Sequence, residues 1–170
     1  MTKGRAGTMT HDYKRNGTTT LFAALDVLTG RVIRQCLSRH THQEFLSFLK
    51  TVDREVPKGL GVHVILDNYS THKHAEVQRW LTQHKRFHLH FTPTSSSWLN
   101  HVENWFGHLE DKNLRRGIFN SVSELIASIE AFLEVTNDNP KPYVWTATAE
   151  SILAKVHRAR QTLTQVQAVS

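Results

Sequence analysis

The stretch GVHVILDNYSTHKH, Gly61–His74, runs apolar as far as Leu66 and turns polar at Asp67. A short continuous apolar run such as VHVIL is the pattern of a strand buried on both sides, as in a parallel sheet. The next segment, KHAEVQRWLTQHK, reads as a helix with Val77, Trp80 and Leu81 on one face, and FHLHF then alternates as a strand. Trp80, Phe87 and Phe91 are read as core. Strand, helix and strand in succession predict a parallel crossover, which puts Asp67 at the carboxyl end of its first strand. Ligands gather at such ends because the backbone there turns away into loops. The plain alternative is that Asp-Asn after a strand only makes a turn or caps a helix.

Working toward the N-terminus, Thr41 is a suitable N-cap for THQEFLSFLKTVDREV, which places Phe45, Leu46, Phe48, Leu49 and Val52 at helical spacing and stops at Pro57 and Gly59. Before it, TTTLFAALDV is β-branched and aromatic, LTG supplies a turn and RVIRQCLS alternates. These segments predict a hairpin turning near Thr29 and Gly30, with Asp26 in a structural turn role. Residues 1–16 carry four Lys or Arg against one Asp, Asp12, and show no apolar period, so they read as a basic arm ahead of a core spanning residues 17–165.

Toward the C-terminus, TPTSSS reads as a loop and Ser97 as the cap of a helix beginning at Trp98, with Leu99, Val102, Phe106 and Leu109 on one stripe. Two further helices are predicted at about 121–136 and 148–163. The layout is mixed α/β: a hairpin, strands alternating with helices, then helices alone.

Composition narrows the setting. The 170 residues suffice for one sizeable core, and a formal charge of +6 with a pI near 9.7 favours a polyanionic partner, nucleic acid above all. A single cysteine, Cys36, excludes an internal disulfide and a thiolate zinc cluster and suits a reducing cytoplasm. TLFAAL and VHVIL fall far short of the roughly 18 apolar residues that a membrane helix needs. No membrane association is expected.

A second acid, Glu103 in SWLNHVENWFGHLE, lies near the start of its helix beside the apolar stripe, where a half-buried carboxylate is expected. Alone it reads equally as a first-turn glutamate favoured by the helix dipole. Between Asp67 and Glu103 lie 35 residues of helix, strand and loop, enough for the chain to return both acids to one sheet edge. Two hard carboxylates there would serve Mg²⁺ or Mn²⁺, and paired ions about 3.5–4 Å apart promote phosphoryl transfer.

HVILDNYSTHKH followed by HFTPTSSSWLNHVENWF resembles the catalytic core of DDE transposases, in particular the bacterial insertion-sequence branch of the Tc/mariner superfamily. The resemblance runs over about residues 3–160. It implies an RNase H-like mixed sheet flanked by helices, with Asp67 as the second catalytic acid, Glu103 as the third, and Trp98 and Asn100 shaping the site. It also implies a first Asp on an opening strand ahead of the basic arm. The chain starts at Met1 with TKGRAGT, so the expectation is a core that lacks the usual first strand, its acid and the end-reading helix-turn-helix domain.

Lys3, Arg5, Lys14 and Arg15 of the arm, His72 and Lys73 after the strand, and Lys112, Arg115 and Arg116 of KNLRR are the candidate DNA-phosphate contacts. The histidines of HTHQEF and HKHAE lack a HExxH helix or cysteine partners and read as surface or site-lining residues. Two function classes follow. One is the catalytic-domain fragment of a transposase that cleaves and transfers DNA strands with Mg²⁺ or Mn²⁺ in the intact protein. The other is an inactive remnant that binds only DNA or a partner transposase chain. The absent acid favours inactivity of this chain alone.

Overall fold

The computed structural model describes residues 16–92 and 101–142, together with Thr148, Glu150, Ser151, Leu153, Ala154, His157 and Arg158. Its first two strands, β1 (Thr20–Leu25) and β2 (Val32–Leu37), pair antiparallel with Leu25 opposite Val32 and Thr20 opposite Leu37. Asp26 organises the turn between them. Its Oδ1 accepts the Leu28 N–H at 3.0 Å and its Oδ2 the Thr29 hydroxyl at 2.6 Å, the local bonding that suits aspartate to turns. Gly30 has a φ of 78°, and a Cβ built there would lie 2.1 Å from the Lys141 carbonyl oxygen. No side chain fits at that position.

The helix α1 (His42–Glu55) starts with a capping box in which Thr41 and Glu44 satisfy each other's backbone N–H groups, a device worth about 1 kcal/mol. It buries Phe45, Phe48, Leu49 and Val52, each contributing roughly 1.5–3 kcal/mol of apolar transfer. At its other end the Arg86 guanidinium donates to Asp53 Oδ1 at 2.8 Å and to the carbonyls of Asp53 at 2.7 Å, Val56 at 3.1 Å and Pro57 at 2.7 Å. A single fork thus satisfies carbonyls that a helix end leaves without partners and ties α1 to the strand that follows Arg86.

That strand, β4 (Phe87–Phe91), pairs parallel with β3 (Val62–Leu66) in the register Val62 opposite Phe87 and Leu66 opposite Phe91. Parallel neighbours need a crossover, supplied here by a 3₁₀ turn at Ser70–Lys73 and α2 (Ala75–Gln83). Beyond β4 come α3 (His101–Lys112), a 3₁₀ turn at Leu114–Arg116, and α4 (Val122–Asp138). The expected start of α3 at Trp98, the Ser97 cap and Leu99 lie outside the described residues, as do Asp12, the basic arm up to Arg15 and much of the predicted last helix.

Alternation in the hairpin divides the interior in two. Phe22, Ala24, Ile33 and Leu37 face a core formed with α1, α2, β3 and β4. Leu21, Ala23, Leu25, Val32 and Cys36 face a second core built on Trp105 and Leu109 of α3 and Ile129 and Leu133 of α4. Asn137 of α4 fastens the hairpin to this layer, accepting the Val32 N–H at 2.8 Å and donating to the Val32 carbonyl at 2.9 Å.

The hairpin is therefore the element covered on both faces, and the reading of VHVIL as buried on both sides is corrected. Val62 and Leu66 are buried, whereas His63 and Ile65 are exposed, because α1 and α2 cover only one face of the parallel pair among the described residues. Phe91, read as core, is 37% exposed. It ends its strand with the Lys73 ammonium 5.2 Å from its ring centroid. The two strand pairs form separate sheets, and among the described residues β1 bonds only to β2 and β3 only to β4.

Candidate active site

Asp67 is the first residue beyond β3. The Thr92 N–H donates to the Leu66 carbonyl at 2.9 Å, so the carboxyl ends of the two parallel strands stay in step up to Asp67. Asp67 makes the turn contact weighed from its sequence. The Tyr69 N–H donates to its Oδ1 at 3.2 Å, a local turn contact. The same oxygen lies 3.2 Å from His72 Nδ1, and the carboxylate remains 56% exposed. Both contacts fall on Oδ1.

His72 lies against this carboxylate. Its side chain is only 11% exposed and packs 4.3 Å from the Phe45 ring, while Nδ1 also lies 3.3 Å from the Asp67 main-chain oxygen. Both neighbours of Nδ1 are acceptors, so this nitrogen carries the proton. Burial pushes the imidazole below its ordinary range, against the Asp67 carbonyl and carboxylate that favour the charged ring, with His40 adding to the lowering. The ring weighed in the sequence as a phosphate contact thus lies beneath Asp67 and donates to its main-chain carbonyl, with the carboxylate Oδ1 alongside.

Glu103 lies in the first turn of α3, whose buried face is made by Trp105 and Leu109. The carboxylate expected to be half-buried is exposed. Trp105 takes the inward position that the sequence assigned to Val102 and Phe106, which are only partly covered.

Among the basic candidates, Lys73 sits over Phe91. Arg115 pairs with Glu110 at 3.2 Å and Asp111 at 2.9 Å. Lys112 and Arg116 line an open hollow of about 500 Å³ with Asn113 and Phe132. Lys3, Arg5, Lys14, Arg15, Trp98 and Asn100 lie outside the described residues. No described helix is long and apolar enough to cross a membrane. One group capable of holding a metal ion does occur among the described residues, His42, His74 and Glu76. The sequence signal for it was weak, since its ligands come from two segments that only the tertiary fold joins.

The family described as "DDE superfamily endonuclease" matches residues 1–126. The insertion element IS630 uncharacterized 39 kDa protein of Shigella sonnei is 30% identical over 122 residues, covering 71% of this chain and 35% of that protein. The chain therefore spans about a third of the length of this relative. A chain in the cryo-EM structure of the simian T-cell lymphotropic virus intasome in complex with PP2A regulatory subunit B56 gamma aligns with a TM-score of 0.49 and 17% identity, covering 79% of this chain and 46% of that one. The assignment rests on the first two matches: this chain belongs to the DDE superfamily of endonucleases, in the insertion-element branch of IS630 and Tc/mariner type.

Proposed function

We propose that the chain is the catalytic-domain fragment of a DNA transposase, with Asp67 and Glu103 as two of its three metal-binding acids. The observation that carries this reading is Asp67 itself, exposed at the carboxyl end of a parallel strand, with Oδ1 held by the Tyr69 N–H and beside His72. An exposed carboxylate with one oxygen held by the Tyr69 N–H fits a hard divalent ion, Mg²⁺ or Mn²⁺. Bound there, such ions would activate an attacking hydroxyl and stabilise the leaving oxygen of a phosphodiester. Asp67 and Glu103 would supply anionic oxygens to that site, His72 would anchor the Asp67 main chain, and Lys112, Arg116 and the arm would hold DNA phosphates.

The finer fold proposal is an RNase H-like core comprising residues 17–165 and awaiting one further strand. A strand between β1 and β3, each bonded on one side only among the described residues, would join the two pairs into one mixed sheet and could bring the remaining acid. Among the described residues no group of three metal-ligating side chains includes Asp67. That observation favours a second reading for the chain by itself: it binds DNA, or another transposase chain, without cutting. Two carboxylates offer too little negative charge to hold two divalent ions side by side.

The test is complementation. The chain alone should leave a transposon-end duplex intact, whereas a version extended by an opening strand with its Asp should cleave it with Mg²⁺ or Mn²⁺ and lose that activity on Asp67→Ala or Glu103→Ala. Cleavage that survives both substitutions would remove the assignment.

A further inference from the structure

His42 of HTHQEF and His74 and Glu76 of HKHAE, which the proposed DNA chemistry leaves unused, meet in the fold. His42 is the first residue of α1, and His74 is the N-cap of α2, with Glu76 in that helix's first turn. The rings of His42 and His74 stack with centroids 3.6 Å apart and planes at 15°. His42 Nε2 lies 3.4 Å from Glu76 Oε2, and one ligand atom from each of the three residues falls within 4.8 Å of the other two.

We propose that His42, His74 and Glu76 bind a transition-metal ion of the zinc class, which ties the start of α1 to the start of α2. Two imidazole nitrogens and one carboxylate oxygen suit Zn²⁺, Co²⁺, Ni²⁺ or Cu²⁺, whereas Mg²⁺ prefers oxygen throughout. Around a tetrahedral zinc, ligand atoms at about 2.0–2.2 Å from the ion stand about 3.3–3.5 Å from one another. The His42–Glu76 separation already matches such an edge and exceeds the roughly 2.7–2.9 Å of a charge-assisted hydrogen bond. The widest spacing in the group, at most 4.8 Å, leaves no more than about 1.5 Å to close.

Binding requires one rearrangement. A metal–nitrogen bond lies in the plane of its imidazole, so the stacked rings have to open before both can face one ion. His74 is exposed and its ring holds a weak cap, Nδ1 accepting the Glu76 N–H at 3.3 Å. Either Nδ1 turns to the ion, or Nε2 does and the ring proton moves to Nδ1. In both cases this cap is given up in exchange for a metal bond. Glu76, with its side chain 47% exposed, adjusts easily, and a water completes the coordination. Because the Asp67–Lys73 segment leads directly into α2, the ion would also hold that segment against α1.

The test uses the untagged chain, titrated with Zn²⁺ by calorimetry and followed by thermal unfolding, with Co²⁺ absorption reporting the ligand geometry. Saturable one-to-one binding is expected, raising the unfolding temperature by about 5–10 °C at a hundredfold excess over Kd. His42→Ala, His74→Ala and Glu76→Gln should each weaken binding by roughly tenfold or more. Asp67→Asn and Glu103→Gln should leave it unchanged, which separates this site from the proposed acids. The same holds for His63→Ala with His90→Ala, which removes a separate exposed pair whose ring nitrogens lie 2.9 Å apart. Three outcomes would overturn the proposal: no binding at micromolar zinc, binding undiminished by His74→Ala and Glu76→Gln, or binding lost only with His63 and His90.

Discussion

Replacing His72 by phenylalanine keeps a ring beside Phe45 and Tyr69, at centroid distances of 4.3 and 6.0 Å in the native chain, and removes the Nδ1 donor beneath Asp67. At neutral pH the loss is one hydrogen bond to a main-chain carbonyl, about 1 kcal/mol, offset in part because no polar ring has to be buried. The larger signature lies in pH. Burial lowers the His72 pKa from its ordinary 6.5. Above that value both folded and unfolded chains carry a neutral ring, and this residue confers no pH dependence. Below it the unfolded chain takes up a proton that the folded chain resists. Stability therefore falls with acidification across the window from 6.5 down to the folded value, at up to about 1.4 kcal/mol per pH unit. His72→Phe should lack this contribution, so the stability difference between native chain and variant should shift steadily in the variant's favour as the pH drops. Urea unfolding of both proteins between about pH 7.5 and 5 measures it. A difference that stays flat across that range, or moves toward the native chain, would refute the placement of a neutral buried imidazole under Asp67.

Arg86→Met should destabilise the fold by about 1–3 kcal/mol in urea unfolding, since it leaves Asp53 with Lys58 alone and strands the Val56 and Pro57 carbonyls at the end of α1; a loss under about 0.5 kcal/mol would contradict that role. Gly30→Ala should cost more than about 1 kcal/mol, because the new methyl meets the Lys141 backbone at a φ of 78°; full stability would show that the turn is held otherwise. Binding to duplex DNA should be indifferent to sequence, should weaken when residues 1–16 are removed, and should fall by orders of magnitude between about 50 and 200 mM salt. Affinity unchanged over that range would exclude a phosphate-dominated contact.

Local patterns carried most of the fold. The hairpin was legible from β-branched runs around an Asp-containing turn, α1 from its cap and helical spacing, and the parallel crossover from the strand–helix–strand order around Asp67. What the sequence left hidden depends on contacts distant along the chain. VHVIL looked doubly buried because histidine and isoleucine do not announce which face is covered, and coverage is decided by where α1 and α2 land. Trp105 took the inward position on α3 because the helix phase is set by packing on the hairpin and α4 rather than by its own composition. Asp67 stood out as a candidate by its position after a strand, but its contact with His72 needed the 3₁₀ turn at Ser70–Lys73. The His42, His74 and Glu76 group joins two segments 32 positions apart, as counted from His42 to His74, and no short-range spacing encodes it.

The central claim, that Asp67 and Glu103 serve one divalent-ion site, is tested most directly by a crystal structure of the chain extended with an Asp-bearing opening strand and soaked in Mn²⁺, whose anomalous scattering locates the ion. The account predicts manganese at the carboxyl end of β3, with oxygens of both Asp67 and Glu103 within about 2.1–2.3 Å of it or of its paired ion. Manganese seated elsewhere, or the two carboxylates on opposite faces of the sheet, would contradict it.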